Sequence, residues 1–226
     1  MMATKSELTQ QLGVVAGFEN PRADLEQYRT PPELAAHLVH TADLQGDIEG
    51  QTVIDLGCGT GMLALGAALR SPKAVVGVDI DPGPLSIART NENRVGSTTS
   101  VEWVRADATC VPLCPPTHRT ELRQAVRESE TTGTTVLMNP PFGAQCGNEH
   151  ADRGFLETTA EIADVSYSIH NVDSKSFVES FTTDNGGEVT HAFAAEFELP
   201  QSFDFHTEDS RAIDVEVFRI DWQVPK

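Results

Sequence analysis

The sequence predicts an α/β fold: a mostly parallel seven-stranded sheet with an antiparallel strand at its C-terminal end and helices on both faces. Two observations carry this expectation. From residue 52 onward, short Val- and Ile-rich runs alternate with segments of helical spacing, and strand-helix-strand repeats of that kind build parallel sheets through right-handed crossovers. A glycine-rich turn, DLGCGTG at 55–61, falls where the first of these strands meets its helix, at the end of the sheet where doubly wound folds bind ligands.

Taken in order, residues 6–20 place Leu8, Leu12, Val15 and Phe18 at helical spacing, and LEQYRTPPELAAHLVHTA (25–42) reads as a turn feeding a helix with prolines near its start. The alternation follows: strand TVIDLG (52–57), helix MLALGAALR (62–70), strand AVVGVDI (74–80), helix PLSIARTNEN (84–93) and strand VEWVRAD (101–107). Residues 109–132 form a proline-containing loop with a polar helical piece, and TTVLMN (134–139) is the fourth strand. The loop GAQCGNEHAD leads to a helix over 153–163, the strand VSYSIH (165–170) and a helix over 173–183. EVTHAFAAEFEL (188–199) and RAIDVEVFRIDW (211–222), joined by the turn-prone PQSFDFHTEDS, read as two strands near the sheet edge. No repeat or linker interrupts the chain, so 1–226 is expected to be one domain, with 1–24 as a helical extension.

Composition narrows the partners. Against 34 Asp and Glu stand 16 Lys and Arg, a formal net charge of −18, and only four of the basic residues are lysines. Excess acid repels phosphate backbones unless concentrated salt screens it, and the scarcity of lysine favours adaptation to salt. The cysteines, Cys58, Cys110, Cys114 and Cys146, are too few and too scattered for a disulfide framework and fit a reducing cytoplasm. Cys110 and Cys114 lack a second ligand pair nearby, so no metal is expected. The longest near-apolar run, residues 62–69, is far short of a membrane span, and MMATKSELTQ lacks the apolar stretch of a signal peptide.

The chemistry-bearing residues follow the strands. Gly57, Gly59 and Gly61 let backbone approach a ligand, and Asp55 before them suits an ammonium group better than a pyrophosphate, which separates this G-x-G-x-G turn from a dinucleotide fingerprint. Asp79, at the end of the second strand, can take both hydroxyls of a ribose, and Asp107, ending the third, can meet an adenine amino group. After the fourth strand, Asn139-Pro140-Pro141-Phe142 is a stiff turn presenting a side-chain carbonyl, a backbone carbonyl and an aromatic ring, an arrangement suited to a flat group bearing an NH2.

DLGCGTG, VGVDID and NPPFG, in this order, resemble the class I S-adenosylmethionine-dependent methyltransferases, and NPPF is similar to the signature of those that methylate amino groups. LEQYRTPPELAAHLVH, VLMNPPFG and the tail ELPQSFDFH…IDVEVFRI resemble, from about Leu25 to Ile220, the methyltransferase-like family that makes N6-methyladenosine in small-subunit ribosomal RNA; this chain looks like an archaeal, halophilic member. The resemblance implies a Rossmann-like domain with S-adenosyl-L-methionine as cofactor. Gln27, Tyr28 and Thr30 would close over it, with Asp55, Gly57, Gly59 and Gly61 at its methionine end, Asp79 and Ile80 at the ribose and Asp107 at the adenine. Asn139, Pro140, Pro141 and Phe142 would be the catalytic tetrad: an unstacked adenine lies against Phe142 while Asn139 Oδ1 and the Pro140 carbonyl accept its two N6 hydrogens. No general base is assigned, and His150 and His170 are read as surface or packing residues. The resemblance also implies a small zinc-binding activator protein as heterodimer partner.

This chain departs from the family's basic loops. In the loop after NPPF, GAQCGNEHADRG, Arg153 is the only Lys or Arg, and the tail reads HTEDSR. Rival readings are a protein-glutamine methyltransferase of the release-factor type, a DNA adenine methyltransferase, a catalytically silent rRNA assembly factor and, least of all, a nicotinamide dehydrogenase.

Overall fold

Capping and turn chemistry set the helices. In the computed structural model, which describes residues 4–111, 132–142, 151–200 and 210–222, helix α1 (Lys5–Leu12) opens on a capping box between Thr4 and Glu7 and stops where the Gly13 N–H turns back to Thr9 and Gln10. The helical spacing read over residues 6–20 therefore ends at Leu12; Val15 is buried beyond the helix, and Phe18 goes elsewhere. Helix α2 (Pro32–Leu44) starts with proline in its first turn, where the missing N–H costs nothing. The core alternation is β1 (Thr52–Leu56), α3 (Met62–Ala68), β2 (Ala74–Asp79), α4 (Pro82–Val95), β3 (Val101–Arg105) and β4 (Thr134–Met138). Helix α4 begins two residues earlier than its apolar spacing indicates, because Asp81 caps it through the Gly83 N–H. Then come α5 (Ala151–Ile162), β5 (Val165–Asn171), α6 (Lys175–Asp184), β6 (Glu188–Pro200) and β7 (Ser210–Asp221). The helical piece expected within 109–132, the loop containing Cys146 and His150, and the turn joining the last two strands lie outside the described residues.

The seven strands form one sheet in the order β3-β2-β1-β4-β5-β7-β6. The first five run parallel, and β7 runs antiparallel to both of its neighbours. Thus β6 is the edge and β7 lies one place inside it. Alternation along each strand separates two apolar layers. Val53, Val75, Leu137, Tyr167 and Val217 face Leu8 and Leu12 of α1, Leu38 and Val39 of α2 and Leu65 of α3. Ile54, Leu56, Val136, Met138, Phe218 and Ile220 face Leu156 of α5 and Val178 and Phe181 of α6.

At the end of the sheet away from the glycine-rich turn, Arg219 of β7 holds Asp47 with two nitrogens (Nε to Oδ2 2.8 Å, Nη2 to Oδ1 3.2 Å). The Tyr167 hydroxyl donates to the same carboxylate at 2.7 Å, and Arg219 also donates to Thr190 on β6 at 2.7 Å. One guanidinium thus ties β7 to β5, to β6 and to the loop after α2. The pair is largely enclosed, so removing the cation leaves a poorly solvated carboxylate. Arg219→Met is expected to cost about 3 kcal/mol in urea unfolding while leaving ligand binding at the opposite end of the sheet unchanged.

Candidate active site

The loops after β1, β2, β3 and β4 converge on one cavity of about 240 Å³. Gly57 and Gly59 have φ of 70° and 51°, and neither tolerates a side chain: a Cβ would sit 2.9 Å from Phe155 Cε1 at the first and 2.8 Å from Phe18 Cζ at the second. Two aromatic rings therefore flank a bare stretch of backbone. At the end of β2, the buried Asp79 carboxylate accepts the Gly59 N–H through Oδ2 and the Asp81 N–H through Oδ1, both at 2.8 Å. Burial raises its pKa above the ordinary value, and it lines the cavity beside Ile80.

A segment ahead of α2 covers this opening. Asn91, fully buried on α4, accepts the Ala16 N–H at 2.9 Å and donates to the carbonyls of Ala16 and Thr60, each at 3.0 Å, which fixes the chain that carries Phe18. Further on, Gln27 Nε2 donates to Asp81 Oδ2 at 2.9 Å while Gln27 Oε1 accepts the Arg22 N–H at 2.9 Å. Gln27 and Tyr28 line the cavity; Thr30 does not, but its Oγ1 accepts from Asn139 Nδ2 at 3.0 Å.

That bond orients the Asn139 amide. Its Oδ1 is buried with no hydrogen-bond partner among the described residues, an acceptor left open beside the cavity that Asn139 and Pro141 line. Pro140 is buried beneath them, and Phe142 lies just outside the lining, partly buried against the core. Its N–H donates to Glu26 Oε2 at 2.7 Å.

Besides Thr30 and Phe142, three further predicted site residues sit differently from expectation. Asp55 is 1% exposed and does not line the cavity; its Oδ2 accepts the Ala64 N–H at 2.8 Å, capping the first turn of α3 from within the core. Gly61 starts α3 with φ 91° and makes room for Trp103, whose Cη2 lies 2.6 Å from where a Cβ would be. Both residues support the turn from behind. Asp107 lines the cavity but lies two residues past β3, which ends at Arg105; its Oδ1 accepts the N–H and hydroxyl of Thr109 at 2.8 and 2.7 Å. His170 is buried on β5, with Nδ1 3.4 Å from Asp152 Oδ2 and its ring edge-on to Phe218.

Sequence reading missed Phe18, Phe155, Glu26 and Asn91. Asn91 carries a usable signal, since it follows Leu85 and Ala88 at three-residue intervals on the buried stripe of α4, where a polar residue needs a partner. The other three meet the site only through contacts distant in sequence.

A glycine cradle between two rings, a carboxylate at the end of β2 beside the cavity, and a buried amide acceptor with no partner among the described residues fit an adenosyl ligand. Fold and site define an S-adenosylmethionine-dependent methyltransferase. Over 217 residues the chain is 33% identical to the rRNA N(6)-adenosine-methyltransferase Mettl5 of Drosophila melanogaster, covering 95% of each, and it belongs to that family. It is also 36% identical over 220 residues to the Methanocaldococcus jannaschii protein MJ0284, covering 97% of this chain and 95% of that one. The crystal structure of PH1948 from Pyrococcus horikoshii, a candidate RNA methyltransferase, superposes with a TM-score of 0.80 at 36% identity and 98% coverage of both chains. Residues 38–109, the cofactor half of the sheet, match the ribosomal protein L11 methyltransferase (PrmA) family.

Burial pushes the Asp55 carboxyl from an ordinary 3.8 up to about 7, against the lowering effect of the Ala64 N–H and with the Asp79 charge adding to the rise. Between those two values the folded state keeps a proton that the unfolded chain has released, so this group's contribution to stability is present at low pH and is lost as pH rises through 7. Asp55→Asn keeps an acceptor for Ala64 and cannot ionise. Its unfolding free energy relative to the parent should therefore climb by a few kcal/mol from pH 4 to 8, measured as paired urea midpoints at each pH.

Proposed function

We propose that this protein methylates N6 of an adenosine in small-subunit ribosomal RNA. The observation that carries the reading is the Asn139 amide: Thr30 accepts from its nitrogen, its oxygen is buried without a partner among the described residues, and the residue lines the cavity. An adenine N6 hydrogen is the complement of such an acceptor. The named activity of Drosophila Mettl5 supports the substrate class.

When bound, S-adenosylmethionine supplies the methyl group. Asp79 and Ile80 would hold its ribose, Asp107 and Ala108 its adenine, and Gln27, Tyr28 and Phe18 would close over it, with Gly57 and Gly59 leaving bare backbone for its methionine end. An adenine drawn out of its stack rests against Phe142, and Asn139 Oδ1 and the Pro140 carbonyl accept its two N6 hydrogens. Holding both hydrogens turns the nitrogen lone pair out of conjugation with the ring, so positioning supplies most of the rate. The proton leaves late, and no side chain is assigned as base.

The RNA contacts are weak in this chain alone. Its net charge is −18, and Arg153, after NPPF, is paired with Glu157 at 3.0 Å. RNA binding accordingly relies on salt that screens the acid and on a small zinc-binding activator protein as heterodimer partner, and the enzyme works in a halophilic cytoplasm.

The test is methyl transfer from labelled S-adenosylmethionine in molar salt, with the partner co-expressed, offering small-subunit rRNA, release factor and DNA. Label should appear on rRNA adenosine and vanish in Asn139→Ala. Thr30→Val, which frees the amide to turn, should lower kcat roughly tenfold with the fold intact. Label on release factor or DNA instead would sink the rRNA reading.

A further inference from the structure

Pro140 and Pro141 have no backbone N–H, so the Phe142 N–H is the first main-chain donor after Asn139 by which the turn can be gripped. Its acceptor is Glu26 Oε2 at 2.7 Å, a contact between residues 116 positions apart. Glu26 is 7% exposed and lines the cavity. Its backbone is left-handed, with φ 48° and ψ 46°, a region that favours glycine. A glutamate held there points to its carboxylate as the reason for the residue.

We infer that Glu26 is a positioning residue for methyl transfer, fixing the Pro140 carbonyl and the Phe142 ring relative to Asn139 Oδ1 through its bond to the Phe142 N–H. The inference rests on the reading of Asn139–Phe142 as the adenine-holding turn. Thr30 and Glu26, four residues apart on one segment, then grip the two ends of the turn, the first by side chain and the second by backbone. The segment that covers the cofactor cavity thereby also shapes the substrate side.

Glycine fits the left-handed backbone without strain, so Glu26→Gly removes the carboxylate while sparing the conformation, and Glu26→Gln keeps a neutral acceptor. In full-length protein with its partner, Glu26→Gly should lower kcat about 10- to 100-fold, with the KM for S-adenosylmethionine and the thermal midpoint held. Glu26→Gln should recover most of the loss. Hydrogen exchange at the Phe142 amide, protected in the parent, should quicken in Glu26→Gly. An unchanged kcat, a rise in the cofactor KM with kcat held, a thermal midpoint that falls as for a core variant, or unaltered Phe142 exchange would each overturn the inference. Exchange needs no RNA: if the parent labels no rRNA adenosine the functional reading falls, while Phe142 exchange still decides whether Glu26 holds the turn.

Discussion

Two hydrogen bonds accepted by the Asp79 carboxylate organise the cavity end of this molecule. By accepting from Gly59 on one side and Asp81 on the other, it locks the glycine-rich turn to the loop that opens α4. Asp81 then has both oxygens committed, one to the cap of α4 and one to Gln27. Gln27 in turn holds Arg22 by its backbone, so the covering segment, the turn and the helix form one connected polar network. A carboxylate this deeply placed pays in desolvation, and the backbone donors that meet it are what keep it there.

Periodicity and turn chemistry made the sheet legible. All five parallel strands and the final pair fall within two residues of their expected bounds, since buried strands of β-branched residues leave little ambiguity. What spacing could not distinguish was which motif residues line the cavity and which prop up those that do. Asp55 and Gly61 belong to the same short motif as Gly57 and Gly59, yet they cap α3 and seat Trp103. Side chains on a tight turn point in several directions, and only the packing of neighbouring elements settles which of them meets the cavity. Phe18 and Phe155 were invisible for a related reason: each reaches the site from a distant part of the chain with nothing in its own neighbourhood to mark it, whereas Glu26 adjoins the marked Gln27 and Tyr28 but meets the turn through a contact 116 positions away.

Polar residues are placed asymmetrically in the core. On the α5 face of β5, Ser166, Ser168 and His170 are all buried, whereas the opposite face presents Tyr167 and Ile169. Ser166 is answered by the Trp222 indole at 2.9 Å and His170 by Asp152. The Ser168 hydroxyl has no partner among the described residues, so it is Asp152 beside His170 that ties this polar row to α5, the helix carrying Phe155 to the glycine turn.

The reversed strand has a consequence for how the chain is made. Strand β6 is synthesised before β7, its one strand partner among the described residues. Thirteen residues of extended backbone must therefore wait, unpaired, until the following strand has left the ribosome and slotted between β5 and β6. The guanidinium that closes this end of the sheet joins residues 172 positions apart. The sheet can be completed only after β7 has been made, and until then the edge of β5 is open to any strand that reaches it first.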